Sequence, residues 1–172
     1  MELTTERLLL RPFREEDAAA VYEYCSDPRV GEAAGWPPHR SVEESLEIIR
    51  TVFASPHVFA LVERESGRLI GSAGFTGRGR NAGGRDDELG YSLHPAFWGR
   101  GLMPEACRAL LAYGFEEMRL DTIWCTHYEE NHRSRRVIEK CGFQYAFREW
   151  VEDDMGRHLV RFYLLTREMW RR

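Results

Sequence analysis

The run His94–Phe115, HPAFWGRGLMPEACRALLAYGF, places two glycines one residue apart directly before an amphipathic pattern. From Leu102 to Glu117 and just beyond, the apolar positions Met103, Ala106, Cys107, Leu110, Leu111, Gly114 and Met118 make one helical stripe, opposed by Glu105, Arg108, Glu116 and Arg119. A helix N-terminus leaves backbone N–H groups unpaired and carries partial positive charge, so a glycine-rich entry lets an anionic pyrophosphate approach Gly99, Arg100, Gly101, Leu102 and Met103 closely. The same glycines also serve a sharp strand-to-helix turn with no ligand, and this segment alone does not separate the two readings. Pro104 stands where a dinucleotide fingerprint needs glycine, and the chain lacks the Gly-Lys-Ser/Thr ending of a P-loop. Proline suits the first helical turn because it has no N–H to satisfy, which confines any phosphate donors to positions upstream of it.

Outward from this run, the pattern is a succession of short elements. Arg7–Phe13 alternates as a first strand, followed by a helix with an acidic first turn that ends at Asp27-Pro28. A second helix runs from about Ser41 to Phe53, with Ser41 and Glu44 at capping-box spacing. Two apolar runs in HVFALVERESGRLIGSAGF are separated by Ser66-Gly67, the signature of a hairpin. DELGYSLHP alternates and is halted by Pro95. Beyond the central helix, DTIWCTHY is strand-like, NHRSRRVIEKCGF is a short helix closed at Gly142, and QYAFREWV and HLVRFYLLT are strands joined through Gly156. The order βααβββαβαββ predicts one α/β domain over residues 1–172: a mixed, mostly antiparallel sheet of about seven strands with about four helices.

Composition narrows the function classes. The 172 residues carry 24 Lys+Arg against 28 Asp+Glu, a formal net charge of −4 that argues against a general nucleic-acid binder. No run of some 18 apolar residues offers a membrane span, and the N-terminal MELTTERLLL lacks the pattern of a secretory signal. The four cysteines, Cys25, Cys107, Cys125 and Cys141, contain no C-x-x-C pair and read as buried thiols of a cytoplasmic protein. His94, His127 and His132 match no metal-binding or triad spacing, so no metal is expected.

Several ordered motifs together resemble the GNAT superfamily of acetyl-CoA-dependent N-acetyltransferases, in particular its ribosomal-protein N-terminal (alanine) acetyltransferase branch. They are Glu88-Leu89-Gly90-Tyr91, His94-Pro95, Trp98-Gly99-Arg100-Gly101-Leu102-Met103, Glu105-Ala106, Asn131-x-x-Ser134, Glu139-Lys140 and Gly142-Phe143, with TERLLLRPF at the start and TREMW at the end. The resemblance implies that the fourth strand splays from the fifth and that acetyl-CoA lies in the gap with its pyrophosphate on the glycine loop. In the family's loop pattern, Trp98 takes the first place, Gly101 the fourth and Met103 the last. It further implies that the Leu93 backbone N–H faces the thioester carbonyl, that Asn131 binds the pantetheine arm, and that Ser134 sits near the sulfur. Arg100, Arg133 and Arg136 are candidates for the phosphates.

Acyl transfer to an amine needs a neutral nucleophile, a stabilised oxyanion and a proton for the leaving thiolate. Glu88 is the candidate base, against a reading as a solvated acid ending RDDE; Asn131 equally suits a helix cap. Where relatives carry a tyrosine donor, this chain has Val137 and Ile138, leaving Ser134 or Tyr128, or an unassisted thiolate. Trp36, Tyr91, Trp150 and Phe162 are candidates to line an acceptor cleft, with Glu152, Asp153 and Asp154 nearby to attract a cation. The expected partners are acetyl-CoA and an amine, either a protein N-terminus or a small molecule, by direct transfer; dimerisation is open. The alternatives are a non-catalytic acyl-CoA-binding or sensor domain and, through the Arg78–Arg85 loop, an RNA or ribosome partner.

Overall fold

Leu8–Arg11, the alternating run near the N-terminus, pairs on both sides in the computed structural model, which describes residues 1–81 and 84–171. The strands are β1 (Leu3–Thr4), β2 (Leu8–Arg11), β3 (Val58–Glu63), β4 (Leu69–Phe75), β5 (Asp86–Leu93), β6 (Thr122–Tyr128), β7 (Gln144–Asp153) and β8 (Gly156–Thr166). The helices are α1 (Ala18–Cys25), α2 (Pro28–Gly31), α3 (Val42–Arg50), α4 (Leu102–Glu116), α5 (His132–Lys140) and α6 (Arg167–Trp170). One sheet of eight strands runs β1-β2-β3-β4-β5-β6-β8-β7. Its neighbours are antiparallel except β5 and β6, which are parallel and therefore need the α4 crossover between them.

The class is the one the sequence predicts, and the extra elements have local causes. β1 is two residues that pair Leu3 with Leu10 and Thr4 with Leu9, too short to register as a periodic pattern. Asp27-Pro28 ends α1 as expected and also starts α2, because the Asp27 side chain accepts from the Arg29 N–H and Pro28 fits the first turn. α6 is capped by the Thr166 hydroxyl, which accepts from Met169 N–H at 3.2 Å. The expected capping box of α3 is displaced by one residue: Ser41 Oγ accepts from Glu44 N–H at 3.1 Å, but the Glu44 carboxylate accepts from Arg40 N–H at 2.6 Å.

Helices cover the sheet unequally. α4 and α5 pack one face, where Leu89, Leu93, Leu102, Ala106, Leu110 and Ile138 belong to the main core. α1 and α3 pack the other face over β3 and β4, with Val21, Tyr24, Ile49, Ala60 and Val62. Neither core cluster continues on that second face across β6, β8 and β7. Among the described residues no helix is long and apolar enough to cross a membrane. All four cysteines are buried and unbridged.

Candidate active site

β5 and β6 pair only through Asp86–Thr122, Asp87–Ile123 and Glu88–Trp124, then part. These are the fourth and fifth strands of the sequence reading, shifted by one because β1 precedes them. His94 N–H donates to Ile70 O and Thr76 N–H donates to Glu88 O, so the even-numbered residues of β5 bond to β4. Antiparallel alternation then turns the N–H and C=O groups of Leu89, Tyr91 and Leu93 toward β6, where pairing has ceased for the last two. Leu93 C=O accepts from the Trp98 indole at 2.8 Å. The Leu93 N–H faces the opening.

The glycine loop closes one end of that opening. Gly99 and Gly101 have φ of +75° and +76°, conformations that cost other residues strain, and a Cβ at Gly99 would meet nothing within 4 Å. Gly101 caps α4 without a side chain, and the first intrahelical bond is Glu105 N–H to Gly101 O at 3.3 Å, so Leu102 and Met103 N–H have no acceptor within the helix. The Leu102 and Met103 side chains are buried in the main core, leaving only their backbone at the loop. Arg7, within the N-terminal TERLLLRPF but given no role by the sequence, fixes this loop: its guanidinium donates to Arg100 O at 2.8 Å and pairs with Glu105 at 2.7 Å. Arg100 itself turns to Glu63, at 2.8 Å.

α5 supplies the opposite wall. Asn131 Oδ1 caps the helix by accepting from Ser134 N–H at 3.1 Å, and its Nδ2 donates to Ala33 O at 3.1 Å, tying α5 to the turn after α2. The capping reading is therefore met, and the second amide contact was invisible in sequence. Ser134 Oγ is 2.8 Å from the Tyr91 hydroxyl, whose pKa burial pushes well up. Arg136 is exposed, with no polar side-chain partner among the described residues. Arg133 lies over the Trp98 ring at 4.2 Å, spanning from α5 to the glycine loop.

The face left open by the helices carries Glu88. Its Oε1 accepts from Thr126 Oγ1 at 2.6 Å, two residues past the last β5–β6 pair. Thr126 is level with Phe162, which stacks on Phe147 at 4.7 Å, and Phe147 meets Trp124 edge-on at 6.2 Å. At the far end of β6 the Tyr128 hydroxyl donates to Asp153, its ring stacked on His158 at 4.2 Å. Gly35, in the turn after α2, lies close enough that a Cβ there would come within 2.9 Å of the Tyr128 hydroxyl.

Of the four aromatic candidates for the cleft, Phe162 lies on this face. Tyr91 lies opposite, since it is three residues from Glu88 on the same strand, and its hydroxyl meets α5. Trp36 packs with the second core cluster beside His39, and Trp150 is 59% exposed with Arg157 at 5.0 Å. Thr126, Trp124 and Phe147 were missed; the parity of β6 relative to Glu88 carries a signal for the first two.

The acetyltransferase (GNAT) domain profile matches residues 7–144. The chain is 30% identical over 148 residues to the uncharacterised N-acetyltransferase YoaA of Bacillus subtilis, covering 83% of this chain and 82% of that one. It is 27% identical over 154 residues, 84% of this chain and 78% of the other, to the ribosomal protein uS5-alanine N-acetyltransferase of Escherichia coli. The crystal structure of a GNAT-family acetyltransferase from Bacillus anthracis superposes with a TM-score of 0.86 at 28% identity, covering 98% of this chain and 99% of that one.

Proposed function

The chain belongs to the GNAT family of acetyltransferases, and from that premise we propose that it transfers acetyl from acetyl-CoA directly to a primary amine, on a protein N-terminus or a small molecule. The observation that carries this is the parting of β5 and β6 after Glu88–Trp124, which opens the Leu93 N–H toward a space walled by the glycine loop and α5. The residues present fit the coenzyme. Open space at Gly99 and the Leu102 and Met103 N–H groups suit a pyrophosphate, and exposed Arg136 is available as a counter-charge. Asn131 holds the entrance wall in place, and Trp98 braces the Leu93 carbonyl. Four buried, unbridged thiols support a cytoplasmic setting.

When bound, acetyl-CoA supplies an acyl carbon activated by its thioester. The Leu93 N–H donates to the carbonyl oxygen as charge develops there, a contribution of roughly 10²- to 10³-fold for one such donor. The amine lone pair forms the C–N bond as the C–S bond breaks. Glu88 takes the proton lost by the nitrogen, and does so through water: Glu88 and Leu93 are five residues apart on an extended strand, roughly 16 Å between their Cα atoms, beyond one side chain. Ser134 Oγ, supported by the protonated Tyr91 hydroxyl, gives its proton to the leaving sulfur.

Release of free thiol from acetyl-CoA, measured against N-terminal peptides, polyamines, amino acids and aminoglycosides with the product identified by mass, tests the proposal. Acetylated amine in stoichiometric step with thiol supports it. Coenzyme binding with no thiol released across the panel makes the chain a non-catalytic acyl-CoA-binding domain.

A further inference from the structure

Arg80, in the loop between β4 and β5, places its guanidinium carbon 4.1 Å from the Phe162 ring centroid, 5.3 Å from that of Phe147 and 6.0 Å from that of Trp124. Its Nη2 lies 2.8 Å from Glu149 Oε1. Three ring faces and a carboxylate around one planar cation are the chemistry by which proteins recognise guanidinium and alkylammonium groups. The setting is the open sheet face of the proposed transfer site. Phe162 is the cross-strand neighbour of Thr126, whose hydroxyl holds Glu88, so the cation sits about one side chain away from the candidate base.

The loop does not need this guanidinium to keep its course. Asp86 Oδ2 accepts from Arg80 N–H at 2.6 Å, from Asn81 N–H at 3.0 Å and from the Trp124 indole at 2.9 Å, which anchors the backbone beside the site. The side chain is therefore an occupant placed over an existing aromatic surface. Trp124 and Phe162 are nearly buried beneath it, at 8% and 3% exposure, while the Arg80 side chain remains 32% exposed. A competing cation has access from solvent.

We infer that Trp124, Phe147, Phe162 and Glu149 form a seat for a cationic group of the acceptor, which Arg80 occupies in its absence. The inference rests on the acetyl-transfer reading and names its substrate class: an amine carrying a second cation, such as a diamine or a basic peptide. One cation displaces Arg80 while the reacting amine, deprotonated, reaches toward the gap between β5 and β6. The seat thereby favours acceptors that carry a second cation, and Arg80 moderates that preference by competing for it.

The test compares Arg80→Ala with wild type, using 1,5-diaminopentane and n-pentylamine as matched acceptors at saturating acetyl-CoA. Removing the competitor is expected to lower the KM for the diamine roughly three- to thirtyfold, the range of a cation–π contact, and to leave the monoamine KM within about twofold. Phe162→Leu in the Arg80→Ala background is expected to reverse the gain. A second measurement needs no turnover: methylguanidinium titrated while the Trp124 indole N–H resonance is followed by NMR, assigned with Trp124→Phe. The resonance is expected to shift in Arg80→Ala at concentrations that leave wild type unmoved. An unchanged ratio of diamine to monoamine KM overturns the acceptor assignment, and an unmoved indole signal in Arg80→Ala overturns the seat itself. Absence of thiol release with every amine sinks the transfer reading instead, and the titration then decides the seat alone.

Discussion

Thr126 Oγ1 stands 2.6 Å from Glu88 Oε1, a hydrogen bond across the point where β5 and β6 separate. The hydroxyl donates to one carboxylate oxygen and leaves Oε2 for a water in the cleft. Glu88→Gln is expected to lower kcat about 100-fold or more, with the acceptor KM little changed. Thr126→Val is expected to lower kcat about tenfold, because it releases the carboxylate from its position, and Thr126→Ser to restore most of it. Steady-state thiol release at neutral pH decides this. Wild-type rates in Glu88→Gln remove it from the mechanism, and equal losses in the Val and Ser variants show that Thr126 matters only through packing.

Ser134 separates two routes for the departing sulfur. Ser134→Ala keeps the backbone N–H that Asn131 caps, and Tyr91 retains the Ser134 carbonyl as an acceptor at 3.3 Å, so folding is expected to lose only about 0.5–1.5 kcal/mol. With the hydroxyl gone, kcat is expected to fall about tenfold while the acetyl-CoA KM stays constant. Full activity in this variant shows that the thiolate leaves unassisted.

At the glycine loop, Gly99→Ala isolates the backbone's role. The added methyl meets no protein atom within 4 Å, so its cost to the fold is the strain of φ +75°, about 1–2 kcal/mol, or some 2–8 °C in Tm. A pyrophosphate drawn close to this backbone meets the methyl directly. The acetyl-CoA KM is expected to rise about tenfold with the acceptor KM unchanged. A variant that loses Tm and keeps its acetyl-CoA KM marks the glycine as a turn residue only.

What could be read in the sequence was what neighbours along the chain decide. The glycine loop, the α4 stripe, the Ser66-Gly67 hairpin and the order of strands follow from periodicity and turn chemistry within a few residues. The cation seat gathers Arg80, Trp124, Phe147 and Phe162 from four segments, and only the register of β6, β8 and β7 brings them together. For Tyr91 the sequence does carry the answer: an odd spacing from Glu88 on one strand assigns it to the opposite face. The second contact of Asn131, to Ala33 across 98 residues of chain, had no local signature at all.

Asp17 provides a pH test of how the first helix is held. Burial alone would push its carboxyl up, but two hydrogen bonds from the Arg11 guanidinium, 2.7 Å each, and one from Arg14 N–H at 2.8 Å hold it below the usual carboxylate range. The unfolded chain, with a value near 3.9, therefore binds this proton more readily than the folded one. The stabilisation is present in full above about pH 5 and drains away as pH falls through about 4 toward the lower folded value. Asp17→Asn leaves Arg11, whose side chain is 13% exposed, without its charge partner and is expected to cost about 2–4 kcal/mol at pH 7. Urea midpoints of the two proteins should converge between pH 5 and pH 3, because protonation of Asp17 brings wild type toward the variant. A difference that stays constant over that interval assigns the loss to altered packing and removes the ion pair from the account of acid stability.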